Sequence, residues 1–317
     1  MIAWSKAKRV VTIVAILLVL GGSSGLVLLD LRQAAAQAQP STNPIDAAPK
    51  EVALSLSQNV NVKFVRIPAG KFLMGSPLGE KDRDPGEIQH EVTISKPFYM
   101  GITPVTVDQW AAFVAETGHQ NPDERGVLVD HRRQPPAAPG TTWRSPGFDQ
   151  TGDHPVVQVS YTDCTEFCTW LSTKSGKRVT LPTEAQWEYA ARAGVTTAYP
   201  WGDNPADGKG WANISQKFFG WDDGFVHTSP VASFKPNAFG LYDMTGNVRQ
   251  WCFDRFAEYT NAPATDPAGA IRGIRWVTRG GTFESDPAST RLAYRLYDPN
   301  PDRHFGDLGF RIAIAAD

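Results

Sequence analysis

Glycine and proline set the tightest limit on how this chain can fold: 28 Gly and 24 Pro are scattered along 317 residues with no repeat. Proline ends helices and glycine supplies turns, so a chain punctuated this densely cannot build a helical bundle. It predicts a loop-rich globular fold of short elements. Charge removes other classes. The 31 Lys+Arg nearly cancel the 33 Asp+Glu, for a net charge of −2, which leaves no electrostatic basis for nucleic-acid binding. Three cysteines, Cys164, Cys168 and Cys252, form at most one disulfide, so a disulfide-stapled scaffold is excluded.

The N-terminus reads as a targeting segment. Lys6, Lys8 and Arg9 precede an uncharged run from Val10 to Leu29, closed by Asp30 and Arg32. Twenty helical residues span about 30 Å, the thickness of a bilayer core. An uncleaved anchor over residues 1–32 is one reading; a signal peptide cleaved near Ala38, after Ala36-Gln37-Ala38, is the other. Both export the chain across a bacterial inner membrane, either tethered and facing the periplasm or released into it. Residues 33–58 are rich in Ala, Gln, Pro, Ser and Asn and read as a flexible linker. Residues 59–317 then form one domain.

Within that domain, residues 61–67 alternate and end at Pro68-Ala69-Gly70, which predicts a strand and turn, with 71–74 returning as hairpin partner. Residues 90–94 read as another strand. Thr106 and Gln109 form a capping box ahead of a helix stopped by Gly118. A second helix over about 162–173 places Cys164, Phe167, Cys168 and Leu171 on one face. A third follows Thr183 and Gln186 and ends at Gly194. Everything beyond is short strands and long loops, so the class is α+β with an antiparallel sheet. Trp187, Trp201, Trp211, Trp221 and Trp251 read as core or loop anchors. The histidines show no metalloprotease spacing, and no phosphate loop or serine-hydrolase elbow is present.

Six segments carry a family resemblance: Phe64–Ser76 (FVRIPAGKFLMGS), His154–Leu171, Leu181–Gly194 (LPTEAQWEYAARAG), Pro236–Cys252 (PNAFGLYDMTGNVRQWC), Arg279–Phe283 (RGGTF) and Asp307–Ala313. Together they resemble the formylglycine-generating enzyme, or sulfatase-modifying factor, superfamily. The resemblance implies a C-type-lectin-like fold with little regular secondary structure. It also implies copper held by two cysteines just after the RGGS motif, and soft thiolates suit Cu(I). Counted from Thr282, those positions are Ser285 and Thr290, and the stretch contains no cysteine. Copper is therefore not expected. Cys164 and Cys168 share a helix face and Cys252 follows Trp251; all three read as small buried residues, with a Cys168–Cys252 bridge the alternative.

The resemblance further implies calcium sites. The first falls on Asn213 and Ile214 with Asp223 and Phe225; ordinary Asx turns are the competing reading of these loop residues. The second falls on Asn247 and Gln250, weakened because Gln250 stands where the family has Glu and Arg249 where it has Trp. Candidate cleft residues are Arg249, Thr282, Glu284, Ser285, Asp286, Thr290, Arg291 and Arg295. Arg with Glu and Asp in one segment suits a polar ligand or acid–base work, while Arg279, Arg295 and Arg311 read more naturally as buried ion-pair scaffolding. The functional expectation is an exported accessory or maturation factor for a periplasmic protein, peptide or small molecule, without copper chemistry. A non-catalytic binding module is the alternative, and formylglycine generation on sulfatases ranks below both.

Overall fold

A computed structural model describes residues 50–120 and 140–315. The apolar run at 10–29 and the tether up to residue 49 lie outside these residues. Among the described residues, no helix is long and apolar enough to cross a membrane.

The chain opens with a hairpin, β1 (Glu51–Ser55) and β2 (Asn61–Ile67), then β3 (Gly70–Met74), β4 (His90–Ile94) and β5 (Phe98–Gly101). Strand β1 corrects the sequence reading, which placed 51–58 in the linker. Its side chains alternate exposed and half-buried; Val52 and Leu54 pack against the core, an apolar face of two residues too short to announce the strand. Its in-register antiparallel ladder with β2 holds it. Helix α1 (Val107–Thr117) follows the expected Thr106–Gln109 box and stops at Gly118 in the left-handed conformation. Helix α2 (Tyr161–Ser175) starts earlier than composition suggests, because Ser160 and Asp163 form a second capping box. The short β6 (Val179–Thr180) leads to α3 (Glu184–Arg192), capped by Thr183 and Gln186; its left-handed stop is Ala193 rather than Gly194.

After α3 the chain is irregular: one turn of helix, α4 (Gln216–Phe219), then β7 (Arg249–Arg255), β8 (Ala264–Thr265), β9 (Trp276–Arg279), β10 (Leu296–Asp298), β11 (Leu308–Phe310) and β12 (Ala313–Ala315). Three sheets result, in the orders β1-β2-β5-β12-β6, β10-β9-β7-β11 and β3-β4-β8. The first is antiparallel throughout and is completed by the last strand, β12, between β5 and β6. Two large cores fill the interior, and a small third cluster gathers Ala212, Ile214 and Phe219. One packs Trp110, Phe113, Phe167 and Trp251 around α1 and α2; the other packs Trp187, Met244, Cys252 and Val277 against α3.

The cysteines are free and buried, with Cys168 in the first core and Cys252 in the second, so the alternative bridge is not formed. Burial pushes all three thiols up, which keeps them protonated and unreactive. Arginine cross-links tie the elements together. Arg295 grips Glu184 through Nε (2.7 Å) and Nη2 (2.8 Å), and Arg279 donates to Glu188 and to the Leu292 and Ala293 carbonyls. Arg291 holds Glu87 with two 2.7 Å bonds and Glu80 with a third. Burial alone would raise the Glu184 carboxyl; the Arg295 and Arg279 charges more than reverse it and hold it low. Of the candidate cleft residues, then, Arg291 and Arg295 belong to the scaffold.

Candidate functional site

The site grows from the antiparallel pair β7 and β9, where Gln250 faces Arg279 and Trp251 faces Thr278. Beyond β9, Gly280 and Gly281 both take positive φ and turn the chain into the loop at 282–290. At Gly281 the space is already full: a β-carbon there would lie 2.9 Å from the Ser289 carbonyl oxygen, 3.0 Å from Thr290 Cγ2 and 3.3 Å from Ser285 Oγ. Only glycine lets the loop close this tightly. The closure brings Ser285 and Thr290, five residues apart, to one point.

Their hydroxyls are spent locally. Ser285 Oγ accepts the Thr282 N–H at 2.9 Å and lies 3.4 Å from Thr282 Oγ1. Thr290 Oγ1 donates to the Asp286 and Pro287 carbonyls at 3.3 and 3.1 Å, while its methyl Cγ2 lies 3.0 Å from the place of a Gly281 β-carbon. Asp286 Oδ1 accepts the Ser289 N–H at 2.8 Å, and Thr282 Oγ1 accepts the Glu284 N–H. Two hard, hydrogen-bonded oxygens do not fit a soft Cu(I) ion.

Beside this loop lies a cleft of about 330 Å³ whose lining includes Arg249, Thr282, Glu284, Ser285, Asp286 and Asp307. Five of the eight sequence candidates therefore share one wall, while Thr290, Arg291 and Arg295 lie outside it. Arg249 Nη2 donates to Asp307 Oδ1 at 2.9 Å, and the guanidinium stacks 5.5 Å from the Phe305 ring. Asp307, Thr278, Tyr294 and Phe218 also line it, and the sequence does not single them out as site residues. Asp307 had a signal: it opens the DLGFRIA motif, and β11 pairs in parallel with β7 so that Leu308 faces Arg249. Phe218 sits in the single turn of α4 and Tyr294 in irregular chain, with no period to mark either.

The calcium positions divide. In the first, Asn213 is 1% exposed, and its Oδ1 has no hydrogen-bond partner among the described residues while its Nδ2 donates to the His227 carbonyl. A buried carbonyl oxygen left bare fits a hard cation. Asp223 accepts the Ile214 and Phe225 N–H groups at 2.8 and 2.9 Å, the second an Asx turn, and keeps lone pairs to spare. Burial raises its carboxyl. The backbone closes tightly on this loop, since a β-carbon at Gly246 would lie 2.2 Å from the Asn213 carbonyl oxygen.

The second set does not fit a cation. Gln250 Oε1 accepts both Trp187 Nε1 and Arg311 Nε at 2.9 Å, which uses both its lone pairs, and Gln250 Nε2 donates to the Asp243 carbonyl. Asn247 is bound to the Ser229 backbone and to Asp243. Arg311, fully buried, already fills this space. It also donates to the Gly101 and Tyr242 carbonyls, and burial lowers its pKa to about 9. The neutral Gln250 matches an arginine whose other partners are mostly carbonyls, so this motif has become a structural hub.

The comparisons with known proteins agree with this architecture. A family model described as "Sulfatase-modifying factor enzyme 1-like domain" matches residues 50–316. The chain belongs to the sulfatase-modifying factor family. The formylglycine-generating enzyme of Streptomyces coelicolor is 38% identical over 287 residues, covering 80% of this chain and 89% of that protein. The mouse protein named inactive Cα-formylglycine-generating enzyme 2 is 32% identical over 292 residues, covering 83% and 89%. Among solved structures, PvdO from Pseudomonas aeruginosa superposes with a TM-score of 0.70 at 32% identity, covering 84% of this chain and 98% of that one.

Proposed function

We propose that this family member is an exported accessory or maturation factor that binds a protein segment or small molecule in the Ser285 cleft, without copper-cysteine chemistry. The observation that carries the reading is the pair Ser285 and Thr290. They meet at Gly281 as the family's cysteines are implied to do, yet offer only engaged hydroxyls. No thiol substitutes, because Cys164, Cys168 and Cys252 are buried in the two cores. A family that contains a protein named as inactive already accommodates the fold without the oxidase activity. The Val10–Leu29 run supports export, with the domain tethered to the inner membrane or released after cleavage near Ala38. The long loops between short strands support the C-type-lectin-like reading of the scaffold.

In the cleft, the Arg249–Asp307 pair and the exposed Glu284 offer a cation and two carboxylates to a polar ligand. The second reading, binding without turnover, is favoured by the local use of Ser285 and Asp286 in the loop's own turns. Incubating the purified chain with a CxPxR peptide, Cu(I) and oxygen tests the common claim. No aldehyde is expected in the peptide mass; a copper-dependent aldehyde overturns the proposal.

A further inference from the structure

Away from the cleft, one segment is built unlike the rest of the surface. From Pro267 to Arg279 the sequence holds three arginines and no acidic residue. At its centre Ile271, Arg272, Gly273, Ile274 and Arg275 are five consecutive exposed residues, with Ile271 91% and Ile274 71% exposed. Two bare isoleucines alternating with two arginines cannot be explained by packing, since they touch no core.

The segment is held rigidly in this display. Arg255 Nη1 donates to the Ile271 carbonyl at 3.1 Å, Ala270 N–H to the Arg255 carbonyl at 3.0 Å, and Phe256 N–H to the Arg275 carbonyl at 2.7 Å. Arg255 stacks on Trp276 and Arg275 on Tyr297, with guanidinium-to-ring distances of 5.4 and 4.7 Å. Half-exposed Phe253 extends the apolar surface, and a hollow of about 430 Å³ lined by Tyr161, Phe253, Ile271 and Trp276 lies beneath it.

We propose that this loop is a membrane-contact surface of the folded domain, which places Ile271 and Ile274 in the acyl boundary and Arg272, Arg275 and Arg255 against anionic lipid headgroups. Apolar tips flanked by arginines and an aromatic residue match an interface where one side is oil and the other negatively charged water. The charge complementarity selects a lipid surface over a protein groove, which would leave the arginines to be desolvated. Strand β9 begins at Trp276 in this patch and ends at Thr278 and Arg279 in the cleft wall. At about 3.3 Å per residue the cleft then lies about 10 Å from the bilayer surface, so its ligand would be met at the membrane. The inference stands apart from the cleft chemistry and from the N-terminal run.

The family model matches residues 50–316 and Pro49–Asp317 form one compact unit, so this part can be tested without the apolar run. Co-sedimentation of residues 50–317 with phosphatidylcholine vesicles, with and without phosphatidylglycerol, reads the binding. We expect binding that strengthens with phosphatidylglycerol. Ile271→Ser/Ile274→Ser should weaken it about tenfold per side chain, and Arg272→Gln/Arg275→Gln about fivefold per side chain, with loss of the anionic preference. These positions are exposed, so both variants keep the wild-type melting temperature; quenching of tryptophan fluorescence by brominated lipid gives an independent reading on the unaltered chain. Absence of binding to either vesicle, or binding that survives both double substitutions, overturns the proposal. Self-association abolished by the isoleucine pair, without vesicle binding, overturns it as well.

Discussion

Restoring the cysteine pair is the sharpest test of how the cleft loop is read. Thr290 presents Cγ2 to the point shared with Ser285 Oγ, and both atoms lie within 3.3 Å of the place a Gly281 β-carbon would take. A cysteine at 290 in the rotamer that follows Cγ2 puts its sulfur at that point, and Ser285→Cys needs only an oxygen-to-sulfur exchange. The double variant Ser285→Cys/Thr290→Cys should therefore create a two-thiolate site on the existing backbone. The cost comes from two hydrogen-bonded groups: the Thr290 hydroxyl, which loses its Asp286 and Pro287 acceptors, and the Ser285 oxygen, which accepts Thr282 N–H. At about 1 kcal/mol each, the variant should melt lower by roughly 4–8 °C for a domain of this size and remain folded. Anaerobic competition against a chromophoric Cu(I) chelator reads the gain. The variant should withdraw one equivalent of copper and the wild type none; Cys164, Cys168 and Cys252 are common to both and cancel. A folded variant whose new thiols titrate but withdraw no copper would falsify the account of the loop. Withdrawal by the wild type would refute the claim that hydroxyls have disarmed the site.

Three further outcomes follow from the structure. Asp254 lies at the start of α3, where it accepts Glu184 N–H at 2.6 Å, and burial with the Glu184 charge pushes its pKa from 3.8 to about 8. The folded chain keeps a proton that the unfolded chain releases, so this group's stabilising share falls as pH rises from about 4 to about 8. Asp254→Asn, which still accepts that N–H, should flatten the urea-melt profile over this window, by at most ~6 kcal/mol; an unchanged slope refutes the assignment. Calcium at Asn213 and Asp223 should raise the melting temperature in proportion to the logarithm of its concentration above Kd, and Asn213→Ala should abolish the rise; equal melting with calcium and with chelator removes the site. Gly246→Ala places a methyl 2.2 Å from a backbone oxygen at φ +76° and should cost ~3 kcal/mol or more; a Tm within a degree of wild type would show that the loop relaxes freely.

How much of this was legible in the chain depends on what each residue's role leaves in its neighbours. Helix α1 could be bounded from sequence because Thr106, Gln109 and Gly118 each carry a local cap chemistry. Helix α2 was read short because its box uses Ser160 and Asp163, and Asp at the fourth position is a less familiar partner than Gln or Glu. Strand β1 was missed for a different reason. It is an edge strand whose apolar face is only Val52 and Leu54, half-buried against the core, so backbone pairing, which composition does not record, carries much of its stability. The arginines show the same limit. Arg295 reads as ion-pair scaffolding in the sequence and does grip Glu184, but Arg249 and Arg291 look alike there, and only the fold assigns the first to the cleft wall and the second to Glu87.

The cleft and the hub at Gln250 express one physical change in two places. Where the resemblance implies a carboxylate, the chain has a neutral amide that satisfies Arg311 and Trp187; where it implies thiolates, it has hydroxyls that satisfy backbone groups. Each substitution turns a group suited to hold a metal into one that closes a hydrogen-bond network. Buried networks of this kind stabilise only when every member is paired, which explains why the scaffold around both sites is intact: Gly281 still closes on residues 285 and 290, and Asn247 still packs on Asn213. The fold is closed around both places without those implied ligands, and under the proposed function the polar cleft takes another ligand, with Arg249 as the side chain that the resemblance does not supply. That residue is where selectivity for a new ligand has most room to reside, because its guanidinium reaches the cleft from a strand fixed on both sides by β9 and β11.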